Sequence, residues 1–102
     1  MDYVEFRIGY SVLRAYANPR VDLHDGTSAQ FPDPGSRDVL CRLIDSTVVT
    51  ACEVDGPMRI EVRNDRDDLL VIDGSTFPYP EFAQLVPADE RGKLDVSQMY
   101  IW

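Results

Sequence analysis

Apolar and polar residues alternate along most of the chain, and this period of two restricts the fold to one built mainly of β-strands. The segment YVEFRI at positions 3–8 places apolar side chains on one face and charged ones on the other. The segment MRIEVRN at positions 58–64 repeats the pattern, with Met58, Ile60 and Val62 predicted to face inward. Both segments are therefore predicted to be half-buried strands.

The segment from Leu69 to Asp73 is apolar on both faces, which is typical of a central strand. The segments from Gln84 to Val86 and from Gln98 to Trp102 are predicted to form the last strand pair. Asp-Gly pairs mark the tight turns between strands, because glycine adopts positive φ readily. The residues predicted to form the core are Ile60, Val62, Leu70 and Ile72.

One segment changes to a helical period. Apolar residues recur at helical spacing between Val39 and Ile44, and Ser36 before them could accept a hydrogen bond from a free backbone N–H. We therefore predict one short helix from Arg37 to Asp45 that covers one face of the sheet. The fold class is mainly β (α+β), an antiparallel sheet of six to eight short strands, curled or two-layered, in a single domain spanning residues 1–102.

The charge balance narrows the possible partners. The 102 residues include 18 acids and 10 Lys and Arg, so the formal net charge is −8. Such a field repels nucleic acids and anionic membranes and attracts basic proteins. The N-terminus lacks the pattern of a signal peptide, and no apolar run approaches the roughly 20 residues that span a bilayer. We expect a cytoplasmic protein, with Cys41 and Cys52 as buried free thiols.

The stretch RNDRDDLLVIDG at positions 63–74 is the most suggestive passage for chemistry. Counted from Asp65, it begins like a calcium-binding loop, but that loop needs glycine at its sixth position and glutamate at its twelfth. Leu70 and Thr76 occupy those positions. Adjacent Asp67 and Asp68 would also point in opposite directions along a strand. We therefore predict no metal site here, and a charged hairpin loop open to a partner.

Catalytic signatures are absent from the sequence. His24 is the single histidine, so it would have to serve as the base in any Ser-His or Cys-His arrangement. It is the last residue of the alternating segment from Arg20 to His24, on the polar face next to a turn, which predicts a solvated surface histidine. No phosphate-binding glycine loop or nucleophile motif accompanies it. We predict that the chain is not an enzyme and needs no cofactor.

The second half of the chain resembles a family of small bacterial domains. The resemblance is carried by LIDSTVVTACEVDGPMRIEVRNDRDDLLVIDG, then FPYPEFAQLV, and the terminal YIW, which together span Leu43 to Trp102. Members of that family look like immunity proteins that accompany secreted or contact-delivered toxins. The resemblance implies that this chain binds and neutralises a basic toxin domain by blocking its active cleft.

Acidic loops are the predicted contacts with such a partner. Asp65, Asp67 and Asp68 are the first choice, because a hairpin tip projects beyond its sheet. Glu53 and Asp55, at the preceding turn and the opposite end of the sheet, are the second choice. The alternative function is a small cytosolic ligand-binding or protein-interaction domain, and an exposed edge strand could also support dimerisation.

Overall fold

Nine strands and one short helix make up the part of the chain that the computed structural model describes, which comprises residues 3–9, 11–54, 58–75, 77–79, 81–87, 91 and 100–102. In chain order the elements are β1 Val4–Ile8, β2 Ser11–Ala15, β3 Arg20–Asp22, β4 Ser28–Gln30, α1 Ser36–Cys41, β5 Val48–Val54, β6 Arg59–Asn64, β7 Leu69–Asp73, β8 Ala83–Val86 and β9 Tyr100–Ile101.

The strands form two antiparallel sheets. The first has the order β1-β2-β8-β9, and the second has the order β4-β3-β7-β6-β5. Eight strands contain three or more residues, and β9 contains two. The predicted fold class, a mainly β antiparallel architecture, curled or two-layered, with one short helix, is confirmed, and the two-layered form is the one observed. The predicted pairing of the last two strands is also confirmed, because β8 pairs with β9.

The core lies between the two sheets. Leu13 and Ala15 of β2 and Ala83 of β8 pack in one cluster with the inward side chains of the second sheet. All four residues predicted for the core are buried, and their exposed fractions are 4% for Ile60, 7% for Val62, 4% for Leu70 and 0% for Ile72. The prediction that Leu69–Asp73 is a central strand is confirmed, since β7 lies between β3 and β6.

Strands β5, β6 and β7 follow one another as a regular meander. Val62 of β6 pairs with Ala51 of β5 on one side and with Leu70 of β7 on the other. Directly paired residues point to the same face of a sheet, so Ala51 lies on the inner face with Val62. The end of β5 that carries Glu53 and the loop after β6 therefore lie at opposite ends of the sheet, as predicted.

The helix is shorter than predicted and begins differently. It spans Ser36–Cys41, and the next residues form turns in which the N–H of Leu43 donates to the carbonyl of Leu40. Gly35, with φ of 84°, is the N-cap, so the cap predicted for Ser36 is wrong. Glycine adopts this left-handed conformation readily and lets the helix begin one residue earlier. Ser36 is buried instead.

Three expectations about exposure are wrong. Met58 is 42% exposed, because β6 begins only at Arg59 and the alternating pattern does not reach Met58. Cys41 and Cys52 are free thiols as predicted, but both are exposed rather than buried. Cys41 ends a helix that leaves one side to solvent, and Cys52 lies in β5, an edge strand with six exposed residues.

Candidate functional site

The loop between β6 and β7 is a tight, well-bonded hairpin. Its three central residues, Asp65, Arg66 and Asp67, are exposed and are called the acidic tip below. The N–H of Asp67 donates to the carbonyl of Asn64 at 3.2 Å, and the N–H of Asn64 donates to the carbonyl of Asp68 at 3.2 Å. Asp67 has φ of 66°, a left-handed conformation that aspartate and asparagine tolerate better than most residues. The backbone of the acidic tip is therefore closed by its own hydrogen bonds.

Asp68 does not belong to the exposed part of this loop. It is 2% exposed, so the expectation that its carboxylate stays available to a partner is wrong. Its Oδ1 accepts a hydrogen bond from the backbone N–H of His24 at 2.9 Å and lies 2.8 Å from His24 Nδ1. Its Oδ2 accepts from the side-chain amide of Asn64 at 3.0 Å. The carboxylate joins the acidic tip to the turn after β3.

The pKa of Asp68 reflects this environment. Burial raises the pKa, but hydrogen bonds from the His24 N–H, the Asn64 amide and the His24 ring outweigh it and lower the pKa from 3.8 to about 2. Asp68 is therefore a buried charge whose acceptor capacity is filled by the protein itself. It supports the loop structurally, and Asp65 and Asp67 present the loop's exposed carboxylates.

Side-chain hydrogen bonds of Asn64 and Arg66 hold the acidic tip in place. The side-chain oxygen of Asn64 accepts from the backbone N–H of Arg66 at 3.0 Å and of Asp68 at 2.9 Å. The guanidinium of Arg66 donates to the carbonyls of Arg42 at 3.1 Å and Asp45 at 3.4 Å. The acidic tip is thus fastened to the turns that follow α1, which reduces the conformational entropy it would lose on binding.

The two exposed carboxylates each keep oxygen atoms for an external donor. Asp67, with a side chain 78% exposed, has Oδ1 2.8 Å from the guanidinium of Arg63. Asp65 Oδ1 accepts from the backbone N–H of Thr47 at 3.1 Å. Because a carboxylate has about four acceptor positions, both side chains are oriented by their partners without being filled by them.

Glu53 lies at the other end of the sheet. Its Oε1 accepts a hydrogen bond from the indole N–H of Trp102 at 2.6 Å, which links β5 to the end of the first sheet. Glu53 pairs with Ile60 across β5 and β6, so its side chain belongs to the inner face. Asp55 lies outside the described residues. The structure therefore does not bring Glu53 together with the acidic tip.

His24 has a partner that the sequence interpretation missed. Its side chain is 57% exposed, as expected of a surface histidine, but Nδ1 faces the buried Asp68 carboxylate. Cys41 and Arg42 line the same shallow groove. Within the described part of the chain, the His24 ring forms its side-chain hydrogen bond with Asp68 and none with a serine or cysteine that could act as a nucleophile.

An intersheet cleft opens between the two sheets, where β1 faces β5 and β6. One part of it, with a volume of about 510 Å³, is lined by apolar residues that include Phe6, Leu43 and Val48 and by polar residues that include Asn64 and Asp68. A second part, of about 430 Å³, is lined by residues that include Leu13, Ala51, Ile60, Leu85 and Trp102. Ile8 and Val62 border both parts. We use the name intersheet cleft for the two together.

Acidic side chains do not converge in the described residues. Across residues 3–54 and 58–87 with their gaps, and at 91 and 100–102, no three side chains of His, Cys, Asp or Glu are placed to hold one metal ion. Asp67 turns outward to Arg63 while Asp68 turns inward to His24 and Asn64.

Comparison with known proteins gives no relative. No family model matches the chain, and neither a curated protein nor a solved structure matches it. Among the described residues, no helix has the length and apolar character that crossing a membrane requires.

The low pKa of Asp68 predicts a specific acid sensitivity. The folded protein binds the carboxyl proton less tightly than the unfolded chain, whose pKa is near 3.8, so this stabilisation is complete above roughly pH 5 and is lost as the pH falls towards 2. The difference in unfolding free energy between wild type and Asp68→Asn should therefore narrow over that interval. Urea titrations at several pH values measure it, with Asp67→Asn as the control. A difference that stays constant from pH 5 to pH 2 would contradict the assignment.

Proposed function

We propose that this chain is a protein-binding domain of the immunity type, which neutralises a basic toxin domain by blocking its active cleft. The observation that carries the proposal is the acidic tip: Asp65 and Asp67 are exposed, while buried bonds through Asn64 and Asp68 fix the loop beneath them. A loop that is already ordered loses little entropy on binding. The proposal places the protein in the cytoplasm, with no catalytic, nucleic-acid-binding or membrane-binding role and no cofactor.

The net charge supports the same proposal. A formal charge of −8 attracts a domain with a basic cleft, and such steering speeds association by roughly 10- to 1,000-fold at low salt. Toxin domains that act on nucleic acids or nucleotides need basic clefts, because their substrates are anionic. The proposed first contacts are Asp65 and Asp67, without the buried Asp68. Glu53 stays a second choice at the opposite end of the sheet.

The alternative function, a small ligand-binding domain, is favoured by one observation, the intersheet cleft. Its walls include Phe6, Leu13 and Ile60, which would suit an apolar molecule. One of its walls, however, is the edge strand β5, whose main chain can pair with another polypeptide. The cleft therefore fits a protein ligand at least as well as a small molecule.

Charge reversal at the acidic tip tests the proposed function. The double variant Asp65→Lys with Asp67→Lys should slow association with the basic partner about tenfold at low salt and flatten its salt dependence, because steering is screened over about 8 Å at physiological ionic strength. Surface plasmon resonance over a range of salt concentrations measures both effects.

A matched control separates local from overall charge. Asp33→Lys with Asp73→Lys raises the net charge by the same amount at exposed positions that lie towards the end of the sheet opposite the acidic tip. This control should change the association rate much less than the tip variant does. Equal effects of the two double variants on the association rate would show that the acidic tip is not part of the interface. Urea unfolding verifies that both double variants remain folded.

A further inference from the structure

The four edge strands of the two sheets differ in how they are protected. Natural sheets blunt their edges with short strands or charged side chains, because an open edge pairs with other chains. β4 has three residues, and β9 has two among the residues that the structure describes, so both edges are short there. β1 carries Glu5 and Arg7, which form an ion pair of 3.7 Å on its outward face. Three of the four edges therefore carry a protective feature.

β5 is the exception. It has seven residues, VVTACEV, with Glu53 as the one charged residue, and six of the seven are exposed. In the described part of the chain, β5 pairs with β6 on one side and with no strand on the other. The register shifts at Val49, and pairing with β6 is regular from Thr50 to Val54. That regular stretch offers backbone N–H and C=O groups to a further strand.

The inner face of β5 borders the intersheet cleft. Ala51 lies beside Val62 and Glu53 lies beside Ile60 on this face. A strand added along β5 would point alternate side chains into the cleft, where Ile8 and Leu85 provide apolar contacts. The Glu53 carboxylate lies on the same inner face of β5, two residues after Ala51 and next to the Trp102 ring. An anion beside an aromatic ring suits a lysine or arginine side chain.

We propose that the free edge of β5 receives an extended strand of the basic partner, with main-chain pairing along Thr50–Val54. Apolar side chains of that strand enter the intersheet cleft, and one lysine or arginine reaches Glu53. The inference rests on the proposed function, because it names how the basic partner is held. Neutralisation then combines two contacts: the acidic tip steers the basic partner, and β5 pairs with one of its strands.

Charge favours a basic partner over a second copy of this chain as the occupant of β5. Two copies would bring together two domains of charge −8 and two Glu53 carboxylates close to one pairing edge. Like charges placed together at an interface oppose association. A basic strand instead neutralises Glu53 and reduces the net charge of the complex.

A defined peptide tests the inference without the natural partner. The probe is a short capped peptide in which lysine alternates with valine and the last valine is also replaced by lysine, so that this lysine lies on the same face as the valines and can reach Glu53. It is titrated into the full chain and followed by ¹⁵N–¹H NMR. We expect the largest shifts at the amides of Thr50–Val54 and at Phe6 and Ile8. N-methylation of alternate peptide amides, which keeps the side chains but removes the pairing donors, should weaken binding by about tenfold or more, since main-chain bonds supply much of the affinity in strand addition.

Two further measurements complete the test. Ala51→Lys places a cation on the inner face of β5 and should abolish the shifts, whereas Ser28→Lys, on the opposite edge of the same sheet, should preserve them. The same peptide with glutamate at every lysine position should bind at least about tenfold more weakly because it is repelled by Glu53 and the net charge. Equal binding of the N-methylated peptide, or shifts located elsewhere, would overturn the inference.

The inference and the proposed function fail separately. If a basic partner binds wild type and Ala51→Lys equally but loses affinity for the acidic-tip variant, strand addition is wrong and the proposed function stands. If the lysine–valine peptide binds along β5 and no basic protein binds the chain, the proposed function is wrong. A homodimer in sedimentation that Ala51→Lys dissociates would overturn the inference in favour of self-pairing.

Discussion

Asp68→Asn is expected to lower the free energy of unfolding by about 2–3 kcal/mol, because hydrogen bonds to a buried charge are worth that much. The asparagine keeps one carbonyl oxygen for the His24 N–H, but its amide group faces the Asn64 amide, which is also a donor. Rotating Asn64 would not relieve this contact, since its oxygen already accepts from Arg66 and Asp68. Urea unfolding at neutral pH measures the loss.

The neighbouring carboxylate gives the control for this prediction. Asp67→Asn makes the same chemical change at a side chain that is 78% exposed, and asparagine tolerates the left-handed backbone there. Its effect should stay within about 0.5 kcal/mol. Equal losses for the two variants would contradict the account of Asp68 as the buried anchor of the acidic tip.

Ile72→Ala is expected to cost about 4 kcal/mol, since truncation of a fully buried isoleucine loses its transfer free energy and leaves a cavity. Ile72 is 0% exposed and lies in the central strand β7, where it pairs with Ile60. Such a loss is a large part of the roughly 5–15 kcal/mol that stabilises a domain of this kind. Chemical denaturation of purified protein measures it.

Two comparison variants make the core prediction specific. Ile72→Val removes one methylene group and should cost about 1 kcal/mol. Ile44→Ala truncates a side chain that is 63% exposed and should cost less than about 1 kcal/mol. A loss at Ile72 no larger than the loss at Ile44 would place the core elsewhere.

Local sequence patterns were sufficient to predict most of the fold. The period of two predicted strands β1 and β6 and their inward side chains, because alternation fixes which side chains share a face. A run that is apolar on both faces predicted the central strand β7. The cap of α1 was predicted wrongly, because a serine before a helical stripe and a glycine before that serine are both acceptable N-caps. The left-handed φ of Gly35 decides between them.

The candidate site was harder to predict, because its central contact is not local. Asp68 and His24 are 44 residues apart, and the pairing of β3 with β7 brings them together. One signal was available: Asp68, Leu70 and Ile72 occupy alternate positions, which already placed Asp68 on the inner face. Its burial at the end of a core-facing row could have been predicted, whereas its partner could not.

The exposure of β5 could not be predicted from its local sequence. VVTACEV is mostly apolar, and Cys52 within it was expected to be a buried free thiol. The sheet order places β5 at an edge, and strand order depends on long-range pairing that local periodicity does not specify. The edge position of β5 explains why the prediction for Cys52 was wrong. The proposed strand addition depends on the same edge position.

The most direct test of the proposed function is capture of the partner followed by inhibition. Tagged wild-type protein and the Asp65→Lys, Asp67→Lys variant are incubated with lysate of the source cells, and recovered proteins are identified by mass spectrometry. We predict a basic protein that is enriched on the wild type and depleted on the variant, and whose purified activity the wild-type chain inhibits stoichiometrically. Recovery of no basic protein, or of one whose activity the chain leaves unchanged, would contradict the immunity function.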